Sequence, residues 1–319
     1  MGEVYLGRVE GAFGFVRPVV IKTIRTELLA DERAALMFVD EARIAAGLHH
    51  RNIVQILDFD RFEGGAFLVT EYIEGADLRT FLHHLRAPPR YDLAVTIVSE
   101  LATGLDAAHN ARSSDGVPLN LVHRDVSPSN VLLGIAGEVK LADFGIAKAR
   151  SRSYHTVSGS IKGKAAYMAP EQILGEPLDR RADVFGLGVL LFEVTTRTRL
   201  YSARSDAKAM KLILGGELPD PAERRPDYPR ELAAIVRRAL ARERDARYPT
   251  ARALADDLDQ LAHAQRWPLS CHAVGELVQQ ARTRMLHGTP PPALAGGGSD
   301  RGFGASAHDR SPLSQERPQ

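Results

Sequence analysis

The pattern of apolar residues changes character once along this chain, near Asp77, and that single switch constrains the fold more than any other feature. Before it, Val4 to Val9, Val16 to Ile24, Val54 to Phe59 and Ala66 to Tyr72 are short runs rich in β-branched and aromatic residues, punctuated by Gly, Asp or Pro, which predicts strands. One helical pattern interrupts them from Glu32 to Leu48, where Leu36, Val39, Ile44 and Leu48 recur near helical spacing. After the switch helices dominate: Leu78 to Leu85, Tyr91 to Arg112, Ala182 to Thr196, Ala203 to Leu214, Glu231 to Ala241, Thr250 to Ala264 and Leu269 to Leu286. Strands followed by helices, with no repeat of fixed period, predict an α+β chain of two lobes. The small strand-rich lobe covers residues 1–73, the larger helical lobe 74–265, and a C-terminal helix 266–287.

The length allows this, because 319 residues at roughly 100–200 per domain suffice for two lobes with their own cores. The last 32 residues, 288–319, contain six Gly, five Pro and four Ser, too little apolar surface to offset chain entropy, and are expected to be a disordered tail. Lys plus Arg number 41 against 40 Asp plus Glu, so no overall basic excess points to nucleic acid or a membrane surface. The longest uncharged apolar stretch, Val184 to Phe192, is far short of the roughly 20 residues of a membrane span, and no span is expected. A single cysteine, Cys271, forms no internal disulfide and favours a reducing cytoplasm.

Three short segments of the helical half carry chemistry: His123-Arg124-Asp125-Val126-Ser127-Pro128-Ser129-Asn130, then Asp143-Phe144-Gly145, then Ala169-Pro170-Glu171. In this order and spacing they resemble the catalytic loop, metal-binding turn and activation-segment end of protein kinases, most closely the bacterial eukaryotic-type (Hanks-type) serine/threonine kinases, over about residues 1–265. The resemblance implies a two-lobed kinase fold that transfers the γ-phosphoryl group of ATP to Ser or Thr hydroxyls of proteins. Phosphoryl transfer needs alignment and charge neutralisation more than covalent help. Asp125 matches the base, and Asn130 and Asp143 match the Mg²⁺ ligands, hard oxygen donors for a small hard cation.

In the strand-rich half Val19-Val20-Ile21-Lys22 resembles the strand whose lysine holds the α- and β-phosphates, and Glu41, 19 residues later, matches its ion-pair partner, with Asp40 the competing candidate. Thr70-Glu71-Tyr72-Ile73 fits the link between lobes. There the backbone of Glu71 and Ile73 would bond the adenine edge, Thr70 would back the pocket, and Asp77 would meet the ribose hydroxyls. Asp183, in an apolar helix, matches the aspartate that supports the catalytic loop, and Arg247 the arginine that pairs with Glu171. Ala169-Pro170-Glu171 and Arg247 argue against a small-molecule kinase.

The chain departs from the family pattern in three places. Where a lysine normally follows the catalytic aspartate by two residues stands Ser127, and where a threonine normally precedes the final glutamate by seven stands Lys164. The expectation is an exchange, Lys164 reaching back to the transferring phosphate while Ser127 keeps the hydroxyl contact to Asp125. Only Gly2 and Val4 match the phosphate-covering G-x-G-x-x-G-x-V loop, so the first strand is missing and the expected true start lies upstream of Met1. Between Lys148 and Lys164 lie five basic residues, no acidic ones, and several hydroxyls. Phosphorylation of Thr156, Ser158 or Ser160 would let Arg124 and these cations order the segment, which implies self-association for autophosphorylation in trans. The alternative is a pseudokinase or regulatory scaffold that binds nucleotide or partners without efficient turnover, motivated by the incomplete loop and by Ser127.

Overall fold

The computed structural model describes residues 3–25, 45–62, 65–113, 115–144, 163–203 and 205–286. Strands β1 (Val4–Glu10), β2 (Val16–Arg25), β3 (Ile56–Phe62) and β4 (Gly65–Glu71) form an antiparallel sheet in the order β1-β2-β4-β3. Lys22 stands opposite Val4 on one side and Leu68 on the other, so it sits inside the sheet with both neighbours paired. Ala45, Ile56 and Leu68 make a small core under this sheet. Only the last turn of the helix expected over Glu32 to Leu48 belongs to the described residues, and Asp40 and Glu41 lie outside them.

A second, short sheet of β5 (Gly75–Asp77), β6 (Val131–Gly134) and β7 (Val139–Leu141) lies where the lobes meet. Its strands are three or four residues long, too short to show a period of two in the sequence. The chain before β3 is bonded to this sheet: Leu141 N–H donates to Asn52 C=O at 2.8 Å and Val54 N–H to Leu141 C=O at 2.9 Å.

The large lobe is built on α1 (Leu78–His84), α2 (Tyr91–His109), α3 (Pro170–Leu174), α4 (Arg181–Thr196), α5 (Asp206–Gly215), α6 (Arg230–Ala239), α7 (Ala251–Ala264) and α8 (Cys271–Leu286). Every residue of α4 from Ala182 to Thr196 is buried, the signature of a central helix apolar on all sides. Asp183 and Glu193 are its two internal carboxylates. Helix α2 packs between α4 and α7, and α8 closes over α1, α2 and the second sheet. The predicted elements recur within a few residues. Helix α2 stops at His109 instead of Arg112, where Asn110 leaves helical geometry and its side-chain amide donates to Asp106 C=O at 2.9 Å. Helix α5 starts at Asp206 because Ser205 caps it through Lys208 N–H. No helix among the described residues is long and apolar enough to cross a membrane.

Candidate active site

The catalytic segment is held from beneath by α4. Asp183, 1% exposed, accepts from His123 N–H at 2.7 Å and Arg124 N–H at 2.8 Å, and from His109 Nε2 at 2.7 Å. Burial alone would push this carboxyl up, but the donors from His109, His123 and the backbone hold it below the usual carboxylate range. Two successive amides thus bind one carboxylate, a geometry that bends the backbone sharply at Arg124, where φ is +64°. Burial lowers the His123 pKa and keeps the ring neutral, with Nδ1 accepting from Asp125 N–H at 3.2 Å and Nε2 donating to Ala142 C=O at 3.0 Å. His123 therefore joins the two segments that carry Asp125 and Asp143.

Asn130 makes the second joint. Its Nδ2 donates to Asp125 C=O at 2.8 Å, and its own C=O accepts from Ala142 N–H at 2.8 Å. With Nδ2 committed, the amide oxygen is the atom left for a ligand. Asp143 follows at once in a left-handed conformation, φ +58°, with its side chain 45% exposed. Two hard oxygen donors fit Mg²⁺, which keeps waters and binds through one or two protein ligands plus phosphates. No group of three or more His, Cys, Asp or Glu placed to hold a metal ion occurs among the described residues.

Each of the two aspartates meets a lysine from outside its own loop. Lys22 Nζ lies 2.7 Å from Asp143 Oδ2, and Lys164 Nζ lies 2.7 Å from Asp125 Oδ2, with side-chain exposures of only 18% and 11% in the second pair. Lys164 reaches the site because Gly163 takes φ +90°, a turn that a side chain resists, and Gly163 N–H is pinned to Asp206 Oδ1 at 2.9 Å at the start of α5. The serine at the usual lysine position, Ser127, is 1% exposed and has its Oγ 3.2 Å from Ser129 Oγ.

Between the lobes lies a cavity of about 500 Å³, within the range of small-molecule sites. Val4, Lys22, Thr70, Glu71, Ile73, Asp77 and Asp143 all line it. The Glu71 side chain is turned away to Lys140 Nζ and Gln55 N–H, both at 2.8 Å, which ties this link to β7. Asp77 caps α1, accepting from Thr80 N–H at 2.9 Å and Thr80 Oγ1 at 2.7 Å. The end of the activation segment is clamped by Arg247, whose Nη1 and Nη2 meet the two Glu171 oxygens at 2.7 and 2.8 Å. Its remaining donors go to the carbonyls of Ala241, Arg181 and Arg242. Gln172 completes the clamp by donating to Arg124 C=O at 3.0 Å. Gly2, Glu41, Thr156, Ser158 and Ser160 lie outside the described residues.

Lys140, His109, Gln172 and Met285, which also lines the cavity, escaped the sequence reading. Gln172 sits beside Glu171 in a recognised motif and was the one within reach. The others act across 69, 74 and more residues and leave no local pattern.

Comparison with known proteins agrees with this geometry. Residues 1–258 match the family described as protein tyrosine and serine/threonine kinase. The chain is 45% identical over 266 residues to the tyrosine-protein kinase MasK of Myxococcus xanthus, covering 81% of this chain and 41% of that protein. It is 34% identical over 252 residues to the serine/threonine-protein kinase PknL of Mycobacterium tuberculosis, covering 79% and 61%. The chain therefore spans from about two fifths to three fifths of these relatives. The kinase domain of Mycobacterium tuberculosis PknI superposes with a TM-score of 0.60 at 29% identity, covering 82% of this chain and 90% of that one. With its two lobes, its catalytic segments and this match over most of its length, the chain belongs to the protein kinase family, among the bacterial Hanks-type members.

Proposed function

We propose that this chain transfers the γ-phosphoryl group of Mg-ATP to Ser and Thr hydroxyls of proteins, its own activation segment included. The observation that carries the reading is Asn130, which bonds Asp125 through its side chain and the strand leading to Asp143 through its backbone, so that base and metal ligand move as one piece. Asp125 would accept the hydroxyl proton. Lys22 would neutralise the nucleotide phosphates, and Lys164, with two further N–H donors beyond the one on Asp125, would face the transferring group. Asn130 and Asp143 would hold Mg²⁺, which when bound neutralises phosphate charge and aligns the in-line transfer. The backbone of Glu71 and Ile73 would read adenine, and Asp77 the ribose. The buried Arg124 Nε has no hydrogen-bond partner among the described residues, which supports an ordering phosphate on Thr156, Ser158 or Ser160. Such a reaction suits an ATP-bearing cytoplasm.

The acceptor has a second reading, because the 45% identical relative is named a tyrosine kinase and the activation segment also holds Tyr154. Incubation with Mg-ATP followed by mass-spectrometric mapping tests both. Phosphoserine and phosphothreonine, abolished by Asp125→Asn and Asp143→Ala, are expected. Phosphotyrosine alone would move the acceptor class, and no phosphate on chain or substrate despite nucleotide binding would leave a scaffold.

A further inference from the structure

Helix α8 lies beyond residues 1–258, which match the kinase family model, yet it is seated against the nucleotide cavity. Val274, Gly275, Val278 and Ala281 are buried along one face. The seat is close enough that glycine is required on both sides. A Cβ on Gly275 would stand 2.7 Å from Gly137 N and Ile135 O, and one on Gly137 would stand 2.4 Å from Cys271 O. Toward its end the helix turns to the link between lobes, where Arg282 Nη1 meets Glu74 Oε1 at 2.6 Å. Glu74 is flanked by Ile73 and Gly75, which both line the cavity, and its own C=O accepts from Ile135 N–H at 2.8 Å. One turn from Arg282, Met285 enters the cavity wall itself. Every other described lining residue falls between Val4 and Phe144.

We infer that α8 is a working part of the nucleotide site, in which Arg282 fastens the helix to the lobe link and Met285 supplies cavity wall, so that helix docking and nucleotide binding reinforce each other. The inference rests on the cavity being the ATP site. The Arg282–Glu74 pair is partly exposed and contributes little binding by itself. Its use is positional: the buried face holds the helix down, and the pair sets which residue reaches the wall. Methionine suits that place, since its unbranched polarizable side chain moulds to a ligand that comes and goes. Coupling of this kind is reciprocal, so a helix that improves nucleotide affinity must itself be steadied by nucleotide, by the same factor.

The test is amide hydrogen exchange on the full chain with and without Mg-ADP, together with the Kd of a fluorescent ADP. Mg-ADP should slow exchange over 71–77 and also over 279–286. Met285→Ala should weaken Mg-ADP about three- to tenfold by removing apolar wall. Gly275→Ala favours the helix as a helix but forbids its seat. It should weaken binding similarly and abolish protection of 279–286, while Gln280→Ala on the exposed face should do neither. Met285→Ala leaves the seat intact and carries the test if Gly275→Ala does not fold. Nucleotide binding with unchanged exchange in α8 and unchanged Kd in both variants would overturn the inference alone. No Mg-ADP binding at all, with no protection over 71–77, would overturn the ATP reading and the inference with it.

Discussion

Replacing Lys164 by alanine or threonine is the most informative single change. Its ammonium is 2.7 Å from Asp125 Oδ2 in a pair whose side chains are 18% and 11% exposed, so water screens it weakly. The residue at the usual lysine position, Ser127, carries a hydroxyl whose oxygen is 3.2 Å from Ser129 Oγ and offers no cation. If Lys164 supplies the donor for the developing charge, its loss removes one preorganised donor, which costs about 2.7–4 kcal/mol or roughly 10²–10³ in kcat. Steady-state phosphorylation with Mg-ATP should show that drop in kcat while the KM for ATP changes by less than about threefold, because Lys22 and the cavity are untouched. The double variant Ser127→Lys with Lys164→Thr restores the residue order usual in the family and should recover most of the loss. A Lys164→Ala chain that turns over within about threefold of wild type would refute the reasoning, since a donor worth about 2.7 kcal/mol cannot be dispensable.

Further outcomes follow from the geometry. Arg247→Met leaves the Glu171 carboxylate buried without its guanidinium and should cost about 3–5 kcal/mol, seen as a fall in Tm of roughly 10 °C. Adding Glu171→Leu should recover part of it; a single variant within about 2 °C of wild type would contradict the bidentate clamp. Glu193 accepts from Tyr167 Oη at 2.8 Å and Leu200 N–H at 3.2 Å, and its burial raises the carboxyl from 4.5 to about 7. The native state then holds a proton that the unfolded chain releases, so this group's contribution to stability is full below about pH 4.5 and declines as pH rises to about 7. Denaturant unfolding at pH 5 and pH 8 should show a smaller pH difference for Glu193→Gln than for wild type, and an equal one would refute the shift. Asp77→Asn keeps a good helix cap and should leave Tm within about 1 °C. If the carboxylate reads the ribose, nucleotide affinity falls all the same, and an unchanged Kd confines Asp77 to capping.

Much of this molecule was legible in its residues because the relevant signals are local. Short β-branched runs before Asp77 and 3.6-residue periodicity after it are properties of neighbouring side chains, and the strands and helices recur within a few positions. Asp125, Asn130 and Asp143, proposed here for base and metal, stand out for a related reason: the family's catalytic segments have particular residue types at fixed short spacings. The three- and four-residue strands of the second sheet carry too few residues for a period to show, and they form because the large-lobe core and the lobe link hold them together. Even the hydroxyl–ammonium exchange was only half legible, because the resemblance to the kinase family pattern implies that Lys164 and Ser127 have traded types but not where each side chain ends.

The sequence by itself determined the two-lobed α+β architecture, the catalytic segments and their order, because propensity, periodicity and motif spacing are all short-range. Tertiary structure alone decided the pairing. It brought Lys164 to Asp125 across 39 residues, Glu71 to Lys140 across 69 and Arg282 to Glu74 across 208. Such contacts arise from how the central helix α4, the short sheet and α8 pack. Packing depends on the whole set of buried surfaces at once, and no window of sequence contains it.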